Sequence, residues 1–175
     1  MKTMQPEQAT FLLQTFVGTL KNEHEVTKKV IGAVPTDKGD YRPDPNARSA
    51  FELAWHIASA ENMFLEAVAA GEFTFGRERP ASVRNSADVV RWYEERFRAN
   101  LARLQQLSAE QLTKVVDFRG IFQFPAVFYL LAAANHSIHH RGQLSVYLRP
   151  MGAKVPAIYG ESYDSAEARK AQVPA

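Results

Sequence analysis

Apolar residues recur three and four apart through four long segments, and the stretches between those segments are rich in proline, glycine and aspartate. That period puts one apolar stripe on each of four helices. The first opens at Pro6, a residue suited to a first helical turn, and carries Phe11, Leu12, Phe16, Leu20, Val26, Val30 and Ile31. It stops before Pro35. Thr36 to Asn46 then holds Pro43, Pro45, Gly39 and three aspartates, a composition that continues no helix and reads as a loop.

The second helix is announced by Ser49-Ala-Phe-Glu52, a capping box in which the serine oxygen takes one free N–H and the glutamate reaches back to another. Its stripe runs Leu53, His56, Ile57, Ala60, Phe64 and Ala67, and Gly71 stands where it should stop. A third helix starts near Asn85 or Ser86, with Val89, Val90, Trp92, Tyr93, Phe97, Leu101 and Leu104 as its candidate core. Ser108-Ala-Glu-Gln111 is a second capping box and opens a short helix, and Val115 to Phe124 reads as an extended crossover bent at Gly120. Pro125 is expected to open the fourth helix, which runs to about Arg149; Ala153 to Ala175 reads mostly as a tail.

Composition narrows the chemistry. A chain of 175 residues makes one domain and can build an ordinary core, and its hydrophobic share of 46% includes no run long enough for a membrane span. The start Met-Lys-Thr-Met-Gln-Pro-Glu lacks the apolar core of a secretory signal, so a cytoplasmic protein is expected. With no cysteine, disulfides, thiolate ligands and a cysteine nucleophile are excluded, and any metal must rest on His, Asp or Glu. The net charge of +2, with both signs mixed along the chain, points away from nucleic acid.

Three of the five histidines fall in Asn135-His-Ser-Ile-His-His-Arg-Gly-Gln143. At about 100° per residue, His136 and His140 point about 40° apart, in line with an expected inward stripe of Tyr129, Ala133, Gln143, Leu144 and Tyr147. Two histidines four apart can share a metal if a third ligand comes from elsewhere, and His56 on the second helix is the candidate. Taken alone, His56 reads more readily as a core histidine bonded to a carbonyl than as a ligand, and an HxxxH pair arises often by chance. His139 packs beside the pair or orients a ligand. Gln143 is a helper or an interhelical hydrogen bond, and Arg141 binds an anion or makes a surface salt bridge. His24, in a polar context, is read as solvated and without a role, and Arg77, Arg79 and Arg84 as a solvated face.

At these residues the sequence resembles the DinB/YfiT-like family of small bacterial metal-binding bundles. Three stretches carry the likeness: Tyr41-Arg-Pro-Asp-Pro-Asn-Ala-Arg-Ser49 leading into Leu53-Ala-Trp-His-Ile57, His136-Ser-Ile-His-His-Arg-Gly-Gln143 continuing to Tyr147-Leu-Arg149, and Val155-Pro-Ala-Ile-Tyr-Gly160. It extends over residues 1–164 and leaves 165–175 as a C-terminal tail. The resemblance implies an all-α, up-down-down-up four-helix bundle with a long crossover between helices two and three, often dimeric. It also matches the family's three metal-ligand histidines to His56, His136 and His140. Several members are similar to thiol-dependent transferases or isomerases that use bacillithiol or mycothiol; the maleylpyruvate isomerases among them carry a second domain that does not follow the bundle here.

One divalent ion, zinc or nickel, is therefore expected, because both suit all-imidazole ligands. Its open position would activate a cosubstrate thiol or water for transfer to, or hydrolysis of, a small electrophile. The alternative is a non-catalytic metal- or ligand-binding protein. Ser137 stands where zinc proteases carry their glutamate base, and no GxSxG elbow exists. Expected partners are a small-molecule substrate, including a low-molecular-weight thiol, and a second copy of the chain; the aromatics Trp92, Tyr93, Phe97, Phe118, Ile121, Phe122, Phe124, Phe128 and Tyr129 exceed what one bundle core needs.

Overall fold

The computed structural model describes residues 4–172. Four long helices, α1 (Pro6–Gly32), α2 (Ala50–Ala70), α3 (Ser86–Leu104) and α5 (Phe128–Leu148), are joined by α4 (Ala109–Thr113) and the strands β1 (Val115–Phe118) and β2 (Phe122–Pro125); α6 (Tyr163–Lys170) follows. The termini obey the sequence. Ser49 and Glu52 form the reciprocal cap of α2, and Gly71 ends it in the left-handed region at φ 74°. Asn85 caps α3 and Ser108 caps α4.

Each long helix packs on two others: α1 on α3 and α5, and α2 on α3 and α5. Residue pairs give the directions. His24 meets Glu94 while Val34 accepts from Ser86, so α1 opposes α3. Tyr93 reaches Glu61 and Asn100 reaches Asn62, so α2 and α3 run the same way. His56 meets His140 and Glu61 meets Ser137, so α5 opposes α2. In chain order the helices run up, down, down and up. Parallel neighbours cannot be joined by a tight turn, which is why residues 71–85 traverse the bundle between α2 and α3 without regular structure.

The core is in two parts. One holds Ala9, Leu20, Leu65, Phe97, Leu130 and Ala133; the other holds Val30, Ile31, Leu53, Ile57, Val89, Tyr93, Leu144 and Leu148. Between them, along α1, α2 and α5, lies a layer of buried polar side chains, Glu23, His24, Thr27, Glu61, Ser137 and Arg141.

The expected stripes need several corrections. Phe11 is exposed, because the buried face of α1 runs Ala9, Val17, Leu20, Glu23, His24, Thr27, Val30 and Ile31. Pro125 closes β2 opposite Val115 instead of opening a helix. The amides of Ala126 and Val127 still donate back to Lys114 and Leu112, which delays α5 to Phe128. The crossover is a hairpin whose turn puts Arg119 and Gly120 at positive φ. The expected tail contains α6, capped by Ser162, and Val155 and Ile158 pack against the core. Among the described residues no helix is long and apolar enough to cross a membrane.

Candidate metal centre

The buried side chains of α5 are Tyr129, Leu130, Ala133, Ala134, Ser137, Arg141, Leu144 and Leu148. Of the expected stripe, Tyr129, Ala133 and Leu144 are buried, while Tyr147 is half-buried and Gln143 exposed. Ser137 and Arg141 take the interior, and His136 and His140 are half-buried at the seam with α2. On α2, Ile57 and Glu61 point inward and His56 is likewise half-buried, facing α5. The three histidines therefore meet at the rim of the polar layer, not in the centre of the core.

There they converge. The Nε2 atoms of His136 and His56 are 3.1 Å apart, and those of His56 and His140 are 3.2 Å apart. Zinc–nitrogen bonds of about 2.0–2.1 Å in a tetrahedron set ligand nitrogens about 3.3 Å apart, so the spacing fits one small ion. It fits a hydrogen-bonded trio poorly. The Nδ1 of His140 is 2.7 Å from Gln143 Oε1, to which it donates, leaving its Nε2 as a lone pair. One His56 N–H cannot serve that lone pair and the nitrogen of His136 equally, whereas a cation among three ring nitrogens within 4.8 Å of one another could take a lone pair from each.

The electrostatics favour neutral rings. Burial, then the charge of Arg48 and the His140 ring, hold His56 down at about 4. Burial, then the rings of His140, His56 and His139, and Arg48, hold His136 at about 3. His140 is lowered too, chiefly by burial and against the Gln143 bond that raises it. Metal and protons compete for the same lone pairs, so low proton affinity leaves all three free at neutral pH.

The remaining candidates divide. Gln143 orients His140, as a helper would. His139 is exposed and edge-on to His140 at 4.8 Å, beside the group and not in it. Arg77 pairs with Glu66 at 2.7 Å, Arg79 lies 4.6 Å over the Phe51 ring, and Arg84 is exposed.

Two expectations are overturned. Arg141, expected at the surface, is 1% exposed; it donates to Glu23 Oε2 at 2.6 Å, to Thr27 and to the Tyr159 hydroxyl. His24, expected in solvent, is 1% exposed, stacks on Phe97 at 3.8 Å and meets Glu94 at 3.2 Å. Both were misplaced because charged neighbours in sequence disguise a position on the inner face.

Two clefts flank the histidines. One of about 210 Å³ is walled by Trp55, His56, Met63, Phe75, Trp92 and Arg119. The other, about 490 Å³, is lined by Asn46, Arg48, Leu53, His140, Gln143 and Tyr147. No acidic residue lines the second, and the one in the first, Glu66, is bound by Arg77.

Comparison with known proteins agrees with this architecture. The Bacillus subtilis protein YjoA is 28% identical over 134 residues, covering 75% of this chain and 85% of its own length. YrdA of the same organism is 26% identical over 155 residues, covering 85% and 88%. The crystal structure of the DinB-like YjoA superposes with a TM-score of 0.68 at 26% identity, covering 84% of this chain and 99% of that one. A DinB-like protein from Bacillus cereus gives 0.71 at 26% identity, covering 83% and 97%. With residues 4–172 also matching the pattern of the DinB family, the chain belongs to that family.

Proposed function

We propose that His56, His136 and His140 hold one divalent ion, zinc or nickel, and that the protein is a metal-dependent enzyme acting on a small electrophilic substrate. The observation that carries this reading is the convergence of three Nε2 atoms from two helices at 3.1 and 3.2 Å. An ion held by these three histidines would supply Lewis-acid activation of water or of a cosubstrate thiol at neutral pH. The chain supplies the rest. Gln143 fixes the His140 tautomer, and Glu61 holds Ser137, next to His136, so that α5 presents its ligand at a fixed height.

The clefts on either side, with His56 in one wall and His140 in the other, support a site that small molecules reach. Thiol transfer and hydrolysis are the two reaction classes. Because the chain has no cysteine, a sulfur nucleophile would be a low-molecular-weight thiol from outside. The second reading is a non-catalytic metal- or ligand-binding protein. One observation favours it: no free carboxylate lines either cleft to act as a general base.

Elemental analysis of purified and reconstituted protein tests the metal. One ion per wild-type chain is expected, with less than a tenth of that in His136→Ala. Stoichiometric metal in His136→Ala, or none in the reconstituted wild type, would sink the assignment. A screen of the loaded protein with bacillithiol, mycothiol, glutathione and coenzyme A against a haloarene separates the functional readings. Metal-dependent turnover with one thiol supports transfer; silence across the panel removes it and leaves hydrolysis as the next test.

A further inference from the structure

Counting charge around the three histidines gives an imbalance. The rings are neutral, and the bond that orients one of them comes from an amide, Gln143, where a carboxylate would add negative charge. Among the described residues the buried Nδ1 of His136 has no hydrogen-bond partner. A divalent ion here would therefore keep its full charge of two. The nearby cleft adds another positive group: Arg48, on the approach to α2, shares its wall with His140, Gln143 and Tyr147.

Arg48 also stands apart from its neighbours. Arg42, on the same loop, is held by Glu52 at 2.9 Å and bonds the Ala47 carbonyl. Among the described residues Arg48 has neither an ion-pair nor a hydrogen-bond partner. Arg48 is exposed and lines the same cleft as His140, and with no acidic residue among the described lining residues it would be repelled by a dication held there. The arrangement becomes favourable when a ligand brings negative charge.

We infer that Arg48 is the anion-recognition residue of the histidine site, and that the ligand taken there is a small molecule bearing a carboxylate or similar oxyanion beside its metal-binding atom. The inference rests on the metal reading above. The cleft supplies the geometry: Arg48, with its planar fork, lines the same cavity as His140, and Asn46, Gln143 and Tyr147 add polar groups to that lining. The other cleft also brings arginines near a ligand histidine, His56, but both are engaged: Arg77 pairs with Glu66 at 2.7 Å, and the second packs on an aromatic ring. Arg119 in that cleft lies 4.1 Å over the Phe75 ring.

The test compares two thiols that differ only in charge, 3-mercaptopropionate and 3-mercaptopropionamide. Each is titrated calorimetrically into the zinc-loaded full chain, with metal content measured on every sample. The acid is expected to bind about tenfold more tightly than the amide, the worth of one charge-assisted bond. Arg48→Gln should erase that preference while keeping its zinc, and Arg48→Lys should retain part of it. Equal affinities in the zinc-loaded wild type, or an unchanged preference in Arg48→Gln, overturn the inference and leave the metal reading standing. Wild-type protein that takes neither zinc nor nickel on reconstitution overturns both.

Discussion

The Ser137 hydroxyl donates to the fully buried carboxylate of Glu61 at 2.5 Å, tying α5 to α2 one residue past His136. Glu61 also accepts from the Tyr93 hydroxyl at 2.7 Å, which brings in α3. Burial first, and then the neighbouring Glu61, raise the Tyr93 pKa and keep that phenol a donor. Truncation at Glu61 strands two buried hydroxyls, each at about 1–3 kcal/mol. Glu61→Ala should therefore lose about 3 kcal/mol or more of unfolding free energy. Glu61→Gln, which keeps an acceptor, should lose less. Urea denaturation measures both, and equal losses would show that packing and not hydrogen bonding dominates here. Metal affinity in Glu61→Gln should fall about tenfold, since the group acts on ligand placement.

Arg141 and Glu23 make the second buried pair, bonded at 2.6 Å with the Tyr159 hydroxyl closing the group at 2.6 and 2.7 Å. Removing one charge leaves the other stranded, at about 3–5 kcal/mol. Arg141→Met should cost that much, and Arg141→Met with Glu23→Leu should recover most of it because an apolar pair of similar volume needs no partner. Thermal unfolding of the two variants decides. If the double variant is no better than the single, the pair contributes more than its desolvation costs.

This inner layer is also where the sequence misled. The capped starts of α2, α3 and α4, the Gly71 stop and the loop before Ser49 were legible because caps and breakers are local chemistry. The three histidines were legible as a group because two of them lie four apart on one helix. What was not legible is the partner of Arg141, since Glu23 lies on another helix, 118 residues away. One signal was available: Glu23, Thr27 and Glu61 each fall on the helical spacing of a buried stripe, between Leu20 and Val30 or between Ile57 and Leu65. Reading the apolar residues alone hid that pattern on α5 too, where Ser137 and Arg141 take the interior, and so placed the histidines in the core instead of at the seam. Arg48 was passed over because nothing in a loop's sequence tells which cleft it lines.

The pH dependence of the metal-free protein follows from the depressed histidines. Unfolded, these side chains take protons near pH 6.5, whereas in the fold His56 waits until about 4 and His136 until about 3. Between those limits the unfolded chain binds more protons, so stability is complete above about pH 6.5 and declines as pH falls through about 4 to 3. Glu94, held at about 2 by Lys28 first and His24 after it, adds a loss with the same sign below about pH 4.5. NMR titration of the imidazole protons should find His56 and His136 neutral at pH 5.5. Midpoints near 6.5 for both would refute the burial that sets them.

Assembly is the last prediction, and the hairpin decides it. A crossover that folded over the bundle end would hide its own aromatics, and it does so in part: Tyr129 is buried and Phe118 and Phe128 are half-buried. The Tyr93 and Phe97 rings of α3 are also inside. Ile121, Phe122 and Phe124, however, remain 65%, 50% and 40% exposed, with Val115 beside them at 60%. Phe122 and Phe124 stack on each other with ring centroids 5.9 Å apart, so they offer one apolar surface instead of scattered contacts. Water-exposed aromatic area of this kind is stabilised by cover, and a symmetric second copy of the chain is the cover we propose. Sedimentation at micromolar concentration should give a species near twice the 19.6 kDa chain mass. Phe122→Glu with Phe124→Glu should return it to the monomer without loss of helical circular dichroism, because neither ring is part of the buried core. A wild type that sediments as a monomer defeats the dimer, and a double variant that stays dimeric moves the interface away from the hairpin.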